Sequence, residues 1–210
     1  MACTYARMFS ANNMKTKTTV ILLLIFNNCF SQINSDYKIY SAIIEDYFLQ
    51  HDSAKKHVDK AVIIDKLETE TNWANESYDY IDYAFFNTTI DTLTKKKAKQ
   101  MLSILKDSYS NNPTLTIDSF KSLIPLHMIK TNDFKKLFTK KIDKGWDKFY
   151  KAYPRAIGAF GFTKVIYFGD LAVLFVDFKR YGLAASGDVF IMKKIADRWI
   201  IFNKFNMYQV

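Results

Sequence analysis

The feature that most constrains this chain is a change of hydrophobic period after Gly158 and Gly161. From there Phe162 to Phe168, Leu171 to Lys179, Ala185 to Ile195 and Trp199 to Tyr208 are dense in aromatic and β-branched residues. Gly169-Asp170, Tyr181-Gly182 and Ala196-Asp197-Arg198 separate them. Runs of this kind, split by short polar or glycine turns, read as strands joined by hairpins. Four in succession predict an antiparallel meander. In Leu171 to Lys179 both alternating sets are apolar, Val173 and Phe175 before Asp177 on one, Leu174, Val176 and Phe178 on the other. A strand apolar on both faces needs cover on both. The expected class is therefore α+β, with N-terminal helices and one or two strands among them packed on a C-terminal four-stranded meander, the helices on one side. Trp199, opening the last run, is expected to be buried against a sheet-covering helix.

The upstream half supplies those helices. Ser35 is a suitable N-cap, with Asp36 in the first turn, for a helix whose apolar residues Tyr40, Ile43, Ile44, Tyr47 and Phe48 form one stripe. Val62-Ile63-Ile64 is short and β-branched, which favours a strand. The polar, aromatic stretch from Asn72 to Asn87 fits either type. Leu93 to Tyr109 sets Ala98, Met101, Leu102, Leu105 and Tyr109 on a helical period that Asn111-Asn112-Pro113 stops. Pro125 precedes a short strand, Leu126-His127-Met128-Ile129, and Thr131 is placed to cap a helix through Asp133, Phe134, Leu137 and Phe138. Asp143 to Tyr153 puts Trp146, Phe149, Tyr150 and Tyr153 at i, i+3, i+4 and i+7, and Pro154 forbids continuation.

The N-terminus reads as a secretory signal that is complete from Met14. Lys15 and Lys17 give a positive n-region, Val20 to Phe26 an apolar h-region, and Cys29-Phe30-Ser31 small side chains at −3 and −1. The mature chain is then expected to begin at Gln32 and to form a single domain over 32–210, residues 1–31 being removed. An apolar run this short falls well below the roughly 20 residues that cross a bilayer, so no transmembrane helix is expected in the mature chain. Export to the periplasm or the medium follows. An alternative makes Cys29 the lipid-bearing cysteine of a lipoprotein, although Phe26-Asn27-Asn28 lacks the small residues of such a site.

Both cysteines, Cys3 and Cys29, fall in the removed segment, which excludes thiol nucleophiles and thiolate metal sites from the domain. Losing Arg7, Lys15 and Lys17 with that segment takes the formal charge from +9 to +6. The surplus comes from scattered lysines rather than a stripe, so it reads as solvated surface and gives no specific nucleic-acid signal.

Trp146-x-x-Phe149-Tyr150-x-x-Tyr153-Pro154, Gly158, Phe162-x-x-Val165, Ala172, Gly187 and Trp199 together resemble a group of uncharacterised exported proteins of Bacteroidetes, over residues 120–208. That resemblance implies export and carries no activity. The closing Lys-Ile-Ala-Asp-Arg-Trp-Ile-Ile also resembles the C-terminal sheet of NTF2-like proteins, which implies a pocket on the concave face of the sheet.

Catalytic constellations are sparse. His51 and His57 are six apart, which does not align two imidazoles on a helix face, and His127 stands alone. Ala184-Ala185-Ser186-Gly187-Asp188 lacks the first glycine of a nucleophile elbow, and Gly158-Ala159-Phe160-Gly161 lacks the third glycine of a dinucleotide loop. No metal or cofactor is expected. The aromatic residues Trp146, Tyr150 and Tyr153 either pack on the sheet or line a ligand groove, and Arg155 sits in a loop suited to binding. Asp177 and Asp188, on otherwise apolar strands, are the candidate acids or bases if the domain is a hydrolase or isomerase. The leading expectation is a non-enzymatic module that binds a cell-envelope ligand or protein.

Overall fold

A computed structural model of the protein describes residues 35–50, 58–68, 92–107, 112–139, 141–181 and 185–209. The expected signal segment, both cysteines, His51, His57 and the 72–87 stretch lie outside the described residues. The chain divides into two compact units, Met1–Tyr37 and Lys38–Val210. Of the first, only residues 35–37 at the start of a helix are described.

The elements run α1 (residues 35–50), β1 (Lys60–Ile64), α2 (Thr92–Asp107), a 3-10 turn (Ile117–Ser119), β2 (Leu126–Ile129), α3 (Thr131–Leu137), α4 (Ile142–Ala152), β3 (Ala156–Phe162), β4 (Ile166–Phe168), β5 (Leu171–Lys179), β6 (Ala185–Ile195) and β7 (Arg198–Gln209). The fold is mixed α+β. Its sheet is wider than the predicted meander, with seven strands in the order β2-β1-β3-β5-β6-β7 and β4 beside β5. β1 is parallel to both β2 and β3, whereas β3, β4, β5, β6 and β7 pair antiparallel through β5 and β6. Two of the six strand pairings thus form a parallel inset that the turn pattern did not indicate.

The first predicted meander strand, Phe162 to Phe168, is two strands. β3 starts earlier, at Ala156, and includes both Gly158 and Gly161. Residues 163–165 then interrupt the pairing before β4. Here the Thr163 side chain replaces part of the ladder: its Oγ1 accepts the Phe175 N–H at 2.9 Å, and its own N–H donates to Phe175 O at 3.1 Å. A fully buried hydroxyl keeps its place because it is bonded as acceptor and as donor to Phe175.

Cover comes from helices on both faces, not one. On the first face, α1 lays its predicted stripe over the sheet. The Tyr40 ring meets Phe162 at 4.7 Å, and Tyr47 meets Phe160 at 5.4 Å and Phe178 at 4.8 Å. Strand alternation sends the odd residues of β5 and β6 to the opposite face. There Val173, Phe175, Val189 and Ile191 pack with Ala98, Met101, Leu102 and Leu105 of α2. A separate cluster on the parallel half joins Val62, Ile64, Ile129 and Ala159 to Phe134 of α3 and Trp146 and Phe149 of α4.

Two smaller expectations fail for identifiable reasons. Trp199 is only half-buried, its ring against Tyr167 at 5.6 Å, because β7 is the outermost strand on its side. Thr131 does not cap α3. The cap position is Lys130, and Asp65 does the capping from β1's far end, its Oδ1 accepting the Thr131 N–H at 2.8 Å.

Candidate functional site

Where the two helical clusters of the second face part, they leave a cavity of about 510 Å³. Its apolar lining is Ile64 and Leu67 from β1 and the turn after it, Phe134 and Phe138 from α3, and Ile142 and Trp146 from α4. Its polar lining is Lys66, Glu68, Thr131, Lys135, Lys179 and Arg180, four cations against one carboxylate. The volume lies within the range of small-molecule sites, as does the combination of apolar walls and a few charged groups.

Local structure holds these walls in place. The chain turns after β1 so that Leu67 lies under the cavity, with its carbonyl accepting Asn112 Nδ2 at 2.9 Å. Thr131 Oγ1 sits 2.6 Å from the Lys66 carbonyl and 2.7 Å from Asp65 Oδ1, which ties the start of α3 to the same turn. Gly145 lets α3 and α4 approach, since a Cβ there would lie 2.3 Å from the Phe138 ring. Phe138 consequently reaches Trp146 edge-on at 5.0 Å. Such aromatic contacts rigidify a wall and keep it apolar.

A second polar group lies on the opposite face, under α1. The Asp188 carboxylate is 1% exposed and is surrounded by donors: the Tyr47 hydroxyl, Ser186 Oγ at 2.9 Å, Asn206 Nδ2 at 2.9 Å and the Lys204 ammonium at 3.4 Å. Lys204 also lies over the Tyr47 ring at 4.4 Å, a cation–π contact. Burial, and after it the neighbouring Asp188 charge, pushes the Tyr47 hydroxyl well above the ordinary phenol range, so it stays a donor. Asp46 nearby is raised chiefly by burial, with Lys204 opposing. This arrangement saturates a buried charge and joins α1 to β6 and β7.

Of the six candidate residues read from the sequence, Trp146 lines the cavity. Tyr150 packs beside it at 5.9 Å and against Tyr181 at 6.4 Å, and burial raises its hydroxyl. Tyr153 sits against Phe149 and His127. Arg155, in a left-handed conformation at φ 61°, pairs with Asp59 and clips the start of β3 to the start of β1. Asp177 is bound by the Tyr208 hydroxyl at 2.8 Å and Lys179 Nζ at 2.6 Å, and Asp188 lies on the other face. The structure therefore does not bring the six together.

No family model, curated protein or solved structure matches this chain. The site must be read from its own residues. Lys66, Leu67, Phe134, Phe138, Lys179 and Arg180 line the cavity without having been read from the sequence as site residues. The one signal available was positional, since the segment just past a short buried strand is where parallel sheets form crevices. Among the described residues no cluster of His, Cys, Asp or Glu could hold a metal ion, and no helix is long and apolar enough to cross a membrane.

Proposed function

We propose that the protein is an exported, non-enzymatic binding module whose ligand occupies the cavity between α3, α4 and the turn after β1. The observation that carries this reading is the cavity itself, with a continuous apolar wall from Ile64 to Trp146 and charged side chains at its edge. The saturation of both candidate aspartates supports it further. Asp177 and Asp188 are held by donors on opposite faces, and neither is among the lining residues, which leaves the alternative of an NTF2-like hydrolase or isomerase with less support.

Ala185 borders the cavity and is only partly buried, so Ala185→Trp fills the space with little effect on the core. Nile red, a neutral dye that fluoresces in apolar pockets, should bind the natural chain saturably and lose that binding in Ala185→Trp. Equal dye binding by both proteins would refute the assignment of the site. Export is tested by the mass of the protein recovered from its native cells. A start at Gln32 supports secretion, diacylglyceryl on Cys29 supports the lipoprotein alternative, and an intact Met1 in the cytoplasm overturns both.

A further inference from the structure

We infer that the cavity takes a monoanionic amphiphile, an apolar body ending in a single carboxylate, with the carboxylate at Lys66 and the body along Leu67, Phe134 and Trp146. This deepens the binding reading above and rests on it. The charge balance of the lining is the starting point. Glu68 is its one acid and is taken by Lys135, while Lys179 is held by Asp177 from outside the lining. Lys66 is half-buried, and among the described residues no acid pairs with it. Arg180, on the same lining, already has an interaction of its own, which leaves Lys66 as the cation to be answered.

The energetics favour one negative charge and no more. A lysine at the edge of apolar walls gains from a carboxylate through a charge-assisted hydrogen bond. A neutral ligand would leave that ammonium unanswered, and a dianion would bring more charge into the low-dielectric space than that one ammonium answers. The body is specified by six large apolar side chains, three of them aromatic, which together offer a sugar or peptide one hydrogen-bond donor, the Trp146 indole. Lys66 is also fixed in position: its carbonyl is engaged by Thr131, so the backbone carrying the ammonium does not wander.

The test compares dodecanoate with dodecanol, each below its aggregation threshold, by displacement of Nile red and by calorimetry on the full chain. Dodecanoate should bind at least tenfold more tightly than dodecanol at low salt, with the difference shrinking as salt rises. Lys66→Met should reduce the preference for the acid about tenfold, and Lys66→Arg should retain most of it. The urea midpoints of both variants should match that of the natural chain, which establishes that the fold is intact. Dodecanol binding as tightly as dodecanoate, or a preference that survives Lys66→Met, would overturn the inference. If neither compound binds while Nile red remains sensitive to Ala185→Trp, the ligand class is wrong and the binding site stands; if the dye also fails, both are wrong.

Discussion

Removing the Tyr47 hydroxyl is the sharpest probe of how this fold is held together. Tyr47→Phe keeps the ring contacts to Phe160, Phe178, Phe190 and the Lys204 ammonium, and deletes the hydroxyl that donates to Asp188 and also meets Ser186. Hydrogen bonds to a charged group contribute about 1.5–3 kcal/mol. Asp188 retains Ser186, Asn206 and Lys204, so the expected loss is about 2 kcal/mol, near the middle of that range. Asp188→Ala should cost more, about 3–5 kcal/mol, because it leaves a lysine and three further donors around a site with no acceptor. The double variant should then cost less than the sum of the two, since Tyr47 has no carboxylate to lose once Asp188 is gone. Urea denaturation of the four proteins, followed by tryptophan fluorescence, supplies the cycle. A loss below about 0.5 kcal/mol for Tyr47→Phe, or full additivity, would refute the claim that this hydroxyl and carboxylate act as a unit.

Other outcomes follow from the same coordinates. Gly187→Ala should destabilise the protein by about 1–3 kcal/mol on denaturation, because its Cβ would lie 2.2 Å from the Tyr208 ring, which crosses Gly187 to reach Asp177. Trp199→Ala should cost less than about 1 kcal/mol, since the ring is half-exposed on an outer strand, whereas Phe149→Ala, fully buried, should cost about 3–5 kcal/mol. Asp46, whose folded value is raised, contributes stability that is present below its ordinary value of 3.8 and is lost as pH rises through the folded value. Relative to the natural protein, Asp46→Asn should therefore gain stability between acid and neutral pH, and a difference that stays flat across denaturation curves at pH 3 to 7 would contradict the shift.

Helices with a clean stripe were legible in the sequence because their partners need not be known. Ala98, Met101, Leu102 and Leu105 are buried as a 3.6 period requires, and Pro154 follows α4 as its missing N–H demands. The strands β5, β6 and β7 were legible because their turns are local. β3 was not, since Ala156, Gly158, Ala159 and Gly161 are small residues with little strand preference, retained where β1 and Leu67 approach closely. The parallel pairing of β1 was illegible for another reason: its partners are set by distant segments, and nothing within Lys60–Ile64 names them. The cavity inherits that difficulty. Its walls come from the end of β1, from α3 and α4, and from the ends of β5 and β6, so no single stretch of sequence carries its signature.

The inset strand β1 also sets an order of assembly. β5, β6 and β7 zip through hairpins of a few residues, so their pairing closes short loops and forms early. β1 must wait, because Ala61 pairs with Leu126 and Lys60 with Ala156, and both partners are made long after it. Until β1 slides between them, β2 has no neighbour within the sheet and α3 and α4 lack the Val62 and Ile64 side chains they rest on. Loosening β1, for example by Ile63→Ala, should therefore slow the last step of refolding and abolish the cavity while the meander remains protected from amide exchange. One five-residue strand is in this sense the keystone of the binding half of the molecule.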